Sequence, residues 1–360
     1  MKAPDYSKRI ATLREDLKLY ECDAFFSVDP ADNAYLSGFF GSTSVVLITL
    51  DRAVLFCDFR YQEYADSLQS NLEVEIVSGS VTTKLGSFIN ACNLKCVAFD
   101  PSAITVQQYM MIEDELSAKM EPLVSLCKNI REIKDAYEIS CIREASRLAE
   151  DALEQILLDL KCGICEYEVA AVLEYEFRKR GALRTSFESI VLFGERSSLP
   201  HGVPTDKPLE KGDIVLIDCG CVLDGYCSDL TRTFVFDRIP GKWFSDIYEY
   251  VRQAQAAAVE TVCAGVPALA VDQVARDLIT AAGHGDHFGH GTGHGVGLEV
   301  HEGPRLFNRS DAILETSMVV TVEPGIYLPG QGGVRIEDLL VVTDDGCDIL
   351  TETPKELRIL

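Results

Sequence analysis

Two domains are predicted, an α/β unit followed by a larger α+β unit, and three observations predict them. The chain has 360 residues, more than one hydrophobic core commonly organises. Short strand-like runs mixed with helical ones fill the stretch up to about residue 125. Beyond about residue 130, helices and strand pairs alternate in a way that suggests two similar halves. The boundaries read from these patterns are 1–128 and 129–360.

Tyr6 to Tyr20 opens the first unit as a helix, with Ile10, Leu13, Leu17 and Leu19 on an imperfect apolar face. CDAFFSV, SVVLITL, AVLFCDF, LEVEIVSG and KCVAFD then read as strands, with Tyr61 to Leu68 helical between them. The polar run KNIREIK leads into a long helix on which Ile139, Ile142, Ala145, Leu148, Ala149, Ala152, Leu153 and Ile156 recur at spacings of three and four. Cys162 and Gly163 break it, and Glu166 to Arg178 resumes the helical pattern. Strands are expected at Asp213 to Cys219, Tyr226 to Phe236, Met318 to Glu323 and Val334 to Val342. Helices are expected at Phe244 to Cys263 and Val271 to Ala282, ahead of the segment GHGDHFGHGTGHGVGLEVHEGPR. That segment holds five of the six histidines.

A formal charge of -24 opposes binding to a phosphate backbone, so nucleic acid is not expected as a partner. No uncharged apolar run reaches membrane-spanning length, and the first residues carry charges where a signal peptide has its apolar core. A cytoplasmic protein without a membrane partner is the expectation. The 13 scattered cysteines suit a reducing compartment, and Cys162 and Cys165 have no second pair or nearby histidine to complete a zinc site.

Acidic residues inside strands carry the chemistry. Asp218 follows the run IVLI, where an unpaired carboxylate is costly. Asp224-Gly225 marks a two-residue hairpin turn, and the parity of 218 and 229 then puts Asp218 and Asp229 on one face. A loop centred on Gly330 brings Glu323 opposite Glu337 in the same way. A single Asp after an apolar strand is commonly a turn or cap residue, and a glycine-histidine run is commonly a surface loop. Two such acidic pairs flanking a histidine cluster point instead to divalent cations. Cys219 and Cys221 alternate to the face opposite Asp218 and read as packing residues.

IDCG-x7-SDLTRTF, GHGTGHGVGLEVHE, TVEPGIY and GVRIED resemble the sequence blocks of the pita-bread metallopeptidases, the group that includes methionine aminopeptidase, aminopeptidase P and prolidase. NAYLSGFFGS and FCDFRYQEYA resemble the N-terminal domain of aminopeptidase P, prolidase and creatinase, and REIKDAYEISCIREA resembles the join. The resemblance implies a creatinase/prolidase-type α/β domain followed by a pita-bread domain of antiparallel sheet, helices and pseudo-twofold symmetry. It implies two divalent metal ions per chain, manganese foremost with cobalt, zinc or iron as alternatives. Asp229 and Glu337 match the bridging ligands, Asp218 a ligand of one ion, and His294 and Glu323 ligands of the other. Glu323 doubles as the implied proton shuttle, with His301 and His201 as catalytic histidines. His290, Tyr327 and Arg335 match supporting or substrate-side positions. Arg305 is a candidate to hold a dipeptide's carboxylate. His284 and His287 match no role.

The resemblance further implies a homodimer acting on Xaa-Pro peptides. An Xaa-Pro aminopeptidase is the favoured expectation, with an Xaa-Pro dipeptidase as the alternative. A metal-free creatinase-like enzyme and a non-catalytic peptide-binding relative remain as lesser readings.

Overall fold

The computed structural model describes residues 4–68, 70 and 72–360. The chain divides into two compact units, Lys2–Arg131 and Glu132–Leu360. No helix among the described residues is long and apolar enough to cross a membrane.

The first unit opens with α1 (Tyr6–Leu19), whose cap Asp5 accepts from the Lys8 amide, and β1 (Ala24–Ser27) follows. Asp29 caps α2 (Pro30–Ser37), which starts on proline and stops at left-handed Gly38. The remaining elements are β2 (Ser44–Thr49), β3 (Ala53–Asp58), α3 (Gln62–Asp66), β4 (Glu73–Val77), α4 (Val81–Ala91), β5 (Cys96–Phe99), α5 (Val106–Glu113), β6 (Lys119–Pro122) and α6 (Leu126–Glu132). The six strands form one mixed sheet in the order β4-β3-β2-β1-β5-β6. The polar run KNIREIK is therefore largely helix α6 and not an open connection. Arg131 accounts for this: its side chain is 2% exposed and donates to Asp32 at 2.8 Å, so part of the polar run turns inward.

In the second unit, Asp135 starts α7 (Ala136–Asp159) by accepting from the Tyr137 and Glu138 amides, while Glu138 reaches back to the Asp135 amide. Next come α8 (Glu166–Lys179), β7 (Arg184–Thr185), β8 (Ile190–Phe193), β9 (Ile214–Cys219), β10 (Cys221–Leu223), β11 (Tyr226–Cys227) and β12 (Leu230–Val235). The sequence then repeats the plan with α9 (Lys242–Thr261), α10 (Ala268–Ala281), β13 (Gly293–Gly295), β14 (Glu302–Leu306), β15 (Val319–Val322), β16 (Gly325–Leu328), β17 (Gly332–Arg335), β18 (Asp338–Thr343) and β19 (Gly346–Ile349). Each half is a helix pair followed by antiparallel strands, which is the pita-bread plan. The apolar face of α7 and α8 packs on Val191, Val215, Ile217 and Phe234, and that of α9 and α10 on Val320, Val322, Ile326 and Leu340.

Each half also contains one long hairpin interrupted midway. In the first, Asp224 (φ 49°) and Gly225 (φ 86°) form the two-residue tip between Leu223 and Tyr226. The same register places Asp218 opposite Thr231 and Cys219 opposite Leu230. Two strands expected to run unbroken are in fact divided, Tyr226 to Phe236 at Ser228-Asp229 and Val334 to Val342 at Ile336-Glu337. At the first break the backbones press together: a Cβ on Gly220 would lie 2.0 Å from the Ser228 carbonyl oxygen. In the second hairpin, Val322 opposes Asp338 before the break and Gly325 opposes Arg335 after it. Glu323 and Glu337 thus face each other in the gap, and left-handed Gly330 (φ 74°) lies in the tip.

Candidate metal centre

The two interruptions deliver the acidic residues to one place. One ligand atom each from Asp229, His294 and Glu337 lies within 4.8 Å of the others, and all three residues are buried. His294 Nε2 is 3.6 Å from Asp229 and 3.3 Å from Glu323. Its Nδ1 lies 3.1 Å from the Gly295 carbonyl, to which it donates as N–H, leaving Nε2 free to coordinate.

Desolvation dominates the electrostatics. Burial, followed by repulsion from Glu337 and Asp218, pushes the Asp229 carboxyl well above its ordinary range. Burial and repulsion from Glu323 and Asp218 do the same to Glu337. Asp218 is also raised by burial, against the opposing charge of Arg335. Glu323 is buried too, yet the adjacent His294 and the nearby His290 and Arg335 hold it below its usual value. Asp218 Oδ1 is buried without a hydrogen-bond partner, while its Oδ2 accepts from Arg335 at 2.6 Å. Among the described residues Arg335 is the single guanidinium bonded to one of these carboxyls. Three acidic side chains raised toward protonation, an orphaned oxygen and an imidazole nitrogen make a donor set that fits hard or borderline divalent metal.

Arg335 also organises the wall behind the carboxylates. Its Nε donates to Thr231 Oγ1 at 3.0 Å, and that hydroxyl donates to Glu337 at 2.8 Å. Its Nη1 donates to the Tyr327 hydroxyl at 2.9 Å. His290 Nδ1 donates to the Gly291 carbonyl, so its Nε2 accepts from Tyr327 at 2.8 Å. Burial pushes the Tyr327 phenol up to about 12 and lowers His290, which favours the neutral form of each.

A cavity of about 570 Å³ opens onto this cluster. Asp218, Asp229, His201, His290, His294, His301, Arg305, Glu323 and Arg335 all line it. Glu337 and Tyr327 do not: they stand behind the wall as partners of Thr231, Arg335 and His290. The His301 ring lies edge-on to His294, with centroids 4.4 Å apart, and burial followed by the His294 and Arg305 charges lowers its pKa to about 4. Among the described residues the Arg305 guanidinium has no hydrogen-bond or ion-pair partner. His284 and His287 line a different cavity, of about 480 Å³, with Trp243, Tyr250 and the second hairpin tip at Leu328, Pro329 and Gln331.

The glycines around His294 serve close approach. A Cβ on Gly293 or Gly295 would come within 1.9 Å of the Thr321 or Gly303 carbonyl oxygen. Between Gly283 and Gly297 only Gly283 has a left-handed φ, so unusual dihedrals explain little of that composition. Cys219 and Cys221 lie in the core under α7 and α8, on the face away from Asp218. Thr231 was missed from the sequence, although it lies two residues beyond Asp229 and hence on the same face.

Residues 140–344 match the sequence profile of Metallopeptidase family M24, and residues 9–133 that of the Creatinase/Prolidase N-terminal domain. The solved structure of an Xaa-Pro dipeptidase from Bacillus anthracis is 39% identical, with a TM-score of 0.96, covering 99% of this chain and 100% of that one. That of an X-Pro aminopeptidase from Thermotoga maritima MSB8 is 36% identical, with a TM-score of 0.90, covering 96% and 100%. The Xaa-Pro dipeptidase of Pyrococcus horikoshii is 39% identical over 318 residues, 87% of each chain.

Proposed function

The chain belongs to metallopeptidase family M24, and from that premise we propose that it is an Xaa-Pro dipeptidase using two adjacent divalent metal ions. The observation that carries the dipeptide preference is Arg305, a guanidinium without a partner among the described residues, lining a cavity otherwise rich in carboxylates. A dipeptide brings its own carboxylate to within a few ångströms of the scissile bond, and an unpaired guanidinium is suited to receive it. Sequence blocks alone favour the aminopeptidase. The dipeptidase relatives and Arg305 together support the other member of the pair.

Asp218, Asp229, His294, Glu323 and Glu337 would hold the metals, with Asp229 and Glu337 shared between them. Bound metal supplies Lewis acidity, polarising the scissile carbonyl and acidifying water. Glu323 Oε1 faces His294, which leaves Oε2 to take the proton from the attacking water and pass it to the leaving proline nitrogen. His301, as neutral imidazole, donates its N–H to the oxygen that gains negative charge. His201 orients the proline side of the substrate, where the tertiary amide has no N–H of its own to be recognised. Arg335, Thr231 and Tyr327 fix the carboxylates without touching the reacting atoms.

Hydrolysis of Gly-Pro is to be measured beside Ala-Pro-Ala with Mn²⁺ present. Faster turnover of the dipeptide, and a selective loss of dipeptide activity in Arg305→Ala, are expected. A tripeptide preference together with equal loss on both substrates in the variant would favour the aminopeptidase, the reading suggested by the Thermotoga maritima structure.

A further inference from the structure

Two fully buried carboxylates outside the cavity, one in each half, grip the loops that form its walls. Glu166, at the start of α8, is 0% exposed. It accepts from the Phe193 amide at 2.8 Å, from Arg196 Nε at 3.0 Å, and from both the amide (2.9 Å) and the hydroxyl (2.8 Å) of Thr205. Arg196 in turn donates to the Val203 carbonyl at 2.7 Å. His201 is carried inside this closed loop.

Asp272, within α10 and also 0% exposed, repeats the arrangement. It accepts from Arg276 Nε at 2.9 Å and Nη2 at 2.8 Å and from the amide (3.0 Å) and hydroxyl (2.9 Å) of Thr292. Arg276 donates to the Phe288 carbonyl at 3.0 Å and the His290 carbonyl at 2.8 Å. One difference separates the two. The Thr292 carbonyl accepts from the Glu323 amide at 2.7 Å, and His294 lies two residues farther along the same segment. The Asp272 grip therefore reaches the backbone of two candidate ligands at Thr292 itself or within two residues of it, whereas the Glu166 grip meets the ligand set at greater remove, through β8, whose Ile190 pairs with Asp218, and through the Pro200 carbonyl, which accepts from Arg335 at 3.4 Å.

We propose that these are positioning residues with separate outputs: Asp272 and Arg276 set metal affinity through Thr292, His294 and Glu323, while Glu166 and Arg196 set substrate handling through the loop bearing His201. This rests on the metallopeptidase reading above. Groups that orient metal ligands from behind are commonly worth a 10–100-fold change in affinity or activity, and a carboxylate that fixes four donors at once is such a group.

The test uses the full chain stripped with chelator and titrated calorimetrically with Mn²⁺, followed by Gly-Pro hydrolysis at saturating Mn²⁺. Asp272→Asn is expected to weaken Mn²⁺ binding by about 10–100-fold and to regain most of its kcat once saturated. Glu166→Gln is expected to keep the wild-type Mn²⁺ affinity and lose kcat/KM by about tenfold or more, a loss that added metal does not repair. Circular dichroism and thermal melting establish that each variant is folded. If Asp272→Asn does not fold, Thr292→Val removes the hydroxyl alone and is expected to weaken Mn²⁺ binding severalfold. A folded Asp272→Asn or Thr292→Val protein with unchanged Mn²⁺ affinity overturns the proposal, as does a loss of affinity in Glu166→Gln equal to that in Asp272→Asn. Wild-type protein that binds no divalent metal would instead sink the metallopeptidase reading.

Discussion

The two halves of the catalytic unit share a scaffold and differ in chemistry. Each has a helix pair, a long hairpin broken at its acidic residue, and a buried carboxylate gripping a threonine. The first half contributes Asp218, Asp229 and His201 to the cavity. The second contributes Glu323, His290, His294, His301, Arg305 and Arg335, with Glu337 behind them. Where the halves agree, the shared feature is backbone placement: both breaks deliver a carboxylate from a strand that changes sheets. Where they differ, the difference lies in the side chains that the second half adds, His294, Arg305 and Arg335 on strands and His290 and His301 outside them. A duplicated frame can thus carry an asymmetric reaction, because a hairpin break positions a ligand whatever the neighbouring loop contains.

The comparison breaks most sharply at the two carboxylates proposed to bridge the metals. Asp229→Ala and Glu337→Ala each remove one half's proposed shared ligand. Each should lower Gly-Pro turnover by at least about a hundredfold, since on the proposed mechanism bound metal would supply several kcal/mol of transition-state stabilisation. A variant from one half that kept near wild-type turnover would show that the two halves do not contribute equally to the site.

Next in size are the glycines at the close approaches. Gly220→Ala in the first half and Gly293→Ala in the second both drive a methyl against a backbone carbonyl, at 2.0 Å and 1.9 Å. Similar losses of about 2–3 kcal/mol are expected from thermal melting of the metal-free protein. A loss confined to one of the two would show that only one half is rigid there. The smallest effect belongs to Gly330→Ala at the second tip, where nothing lies within 4 Å but φ is 74°. A cost of about 1 kcal/mol is expected, from the left-handed backbone alone.

Much of this was legible in the sequence for a simple reason: a strand alternates with period two, so residue number alone assigns a face. Asp218 and Asp229 could be placed together by the Asp224-Gly225 turn, and Glu323 and Glu337 by Gly330. The interruptions were not legible, because YCSDLTRTF and VRIEDLLVV read as unbroken strands until the partner backbone is known. Arg131, Glu166, Asp272 and Arg276 were hidden for a different reason. Charged residues on amphipathic helices normally face water, and nothing local marks the few that turn inward to satisfy a loop. Those residues become visible only when the backbone amides they satisfy are located.

Trp243 is the only tryptophan in the chain, and it lines the cavity beside Leu328, Pro329 and Gln331. Those residues form the tip of the hairpin whose stem holds Glu323 and Glu337. The molecule therefore carries its own fluorophore at the far end of the lever that bears two of its carboxylates. Intrinsic emission from this one indole can report movement of that tip without any attached dye.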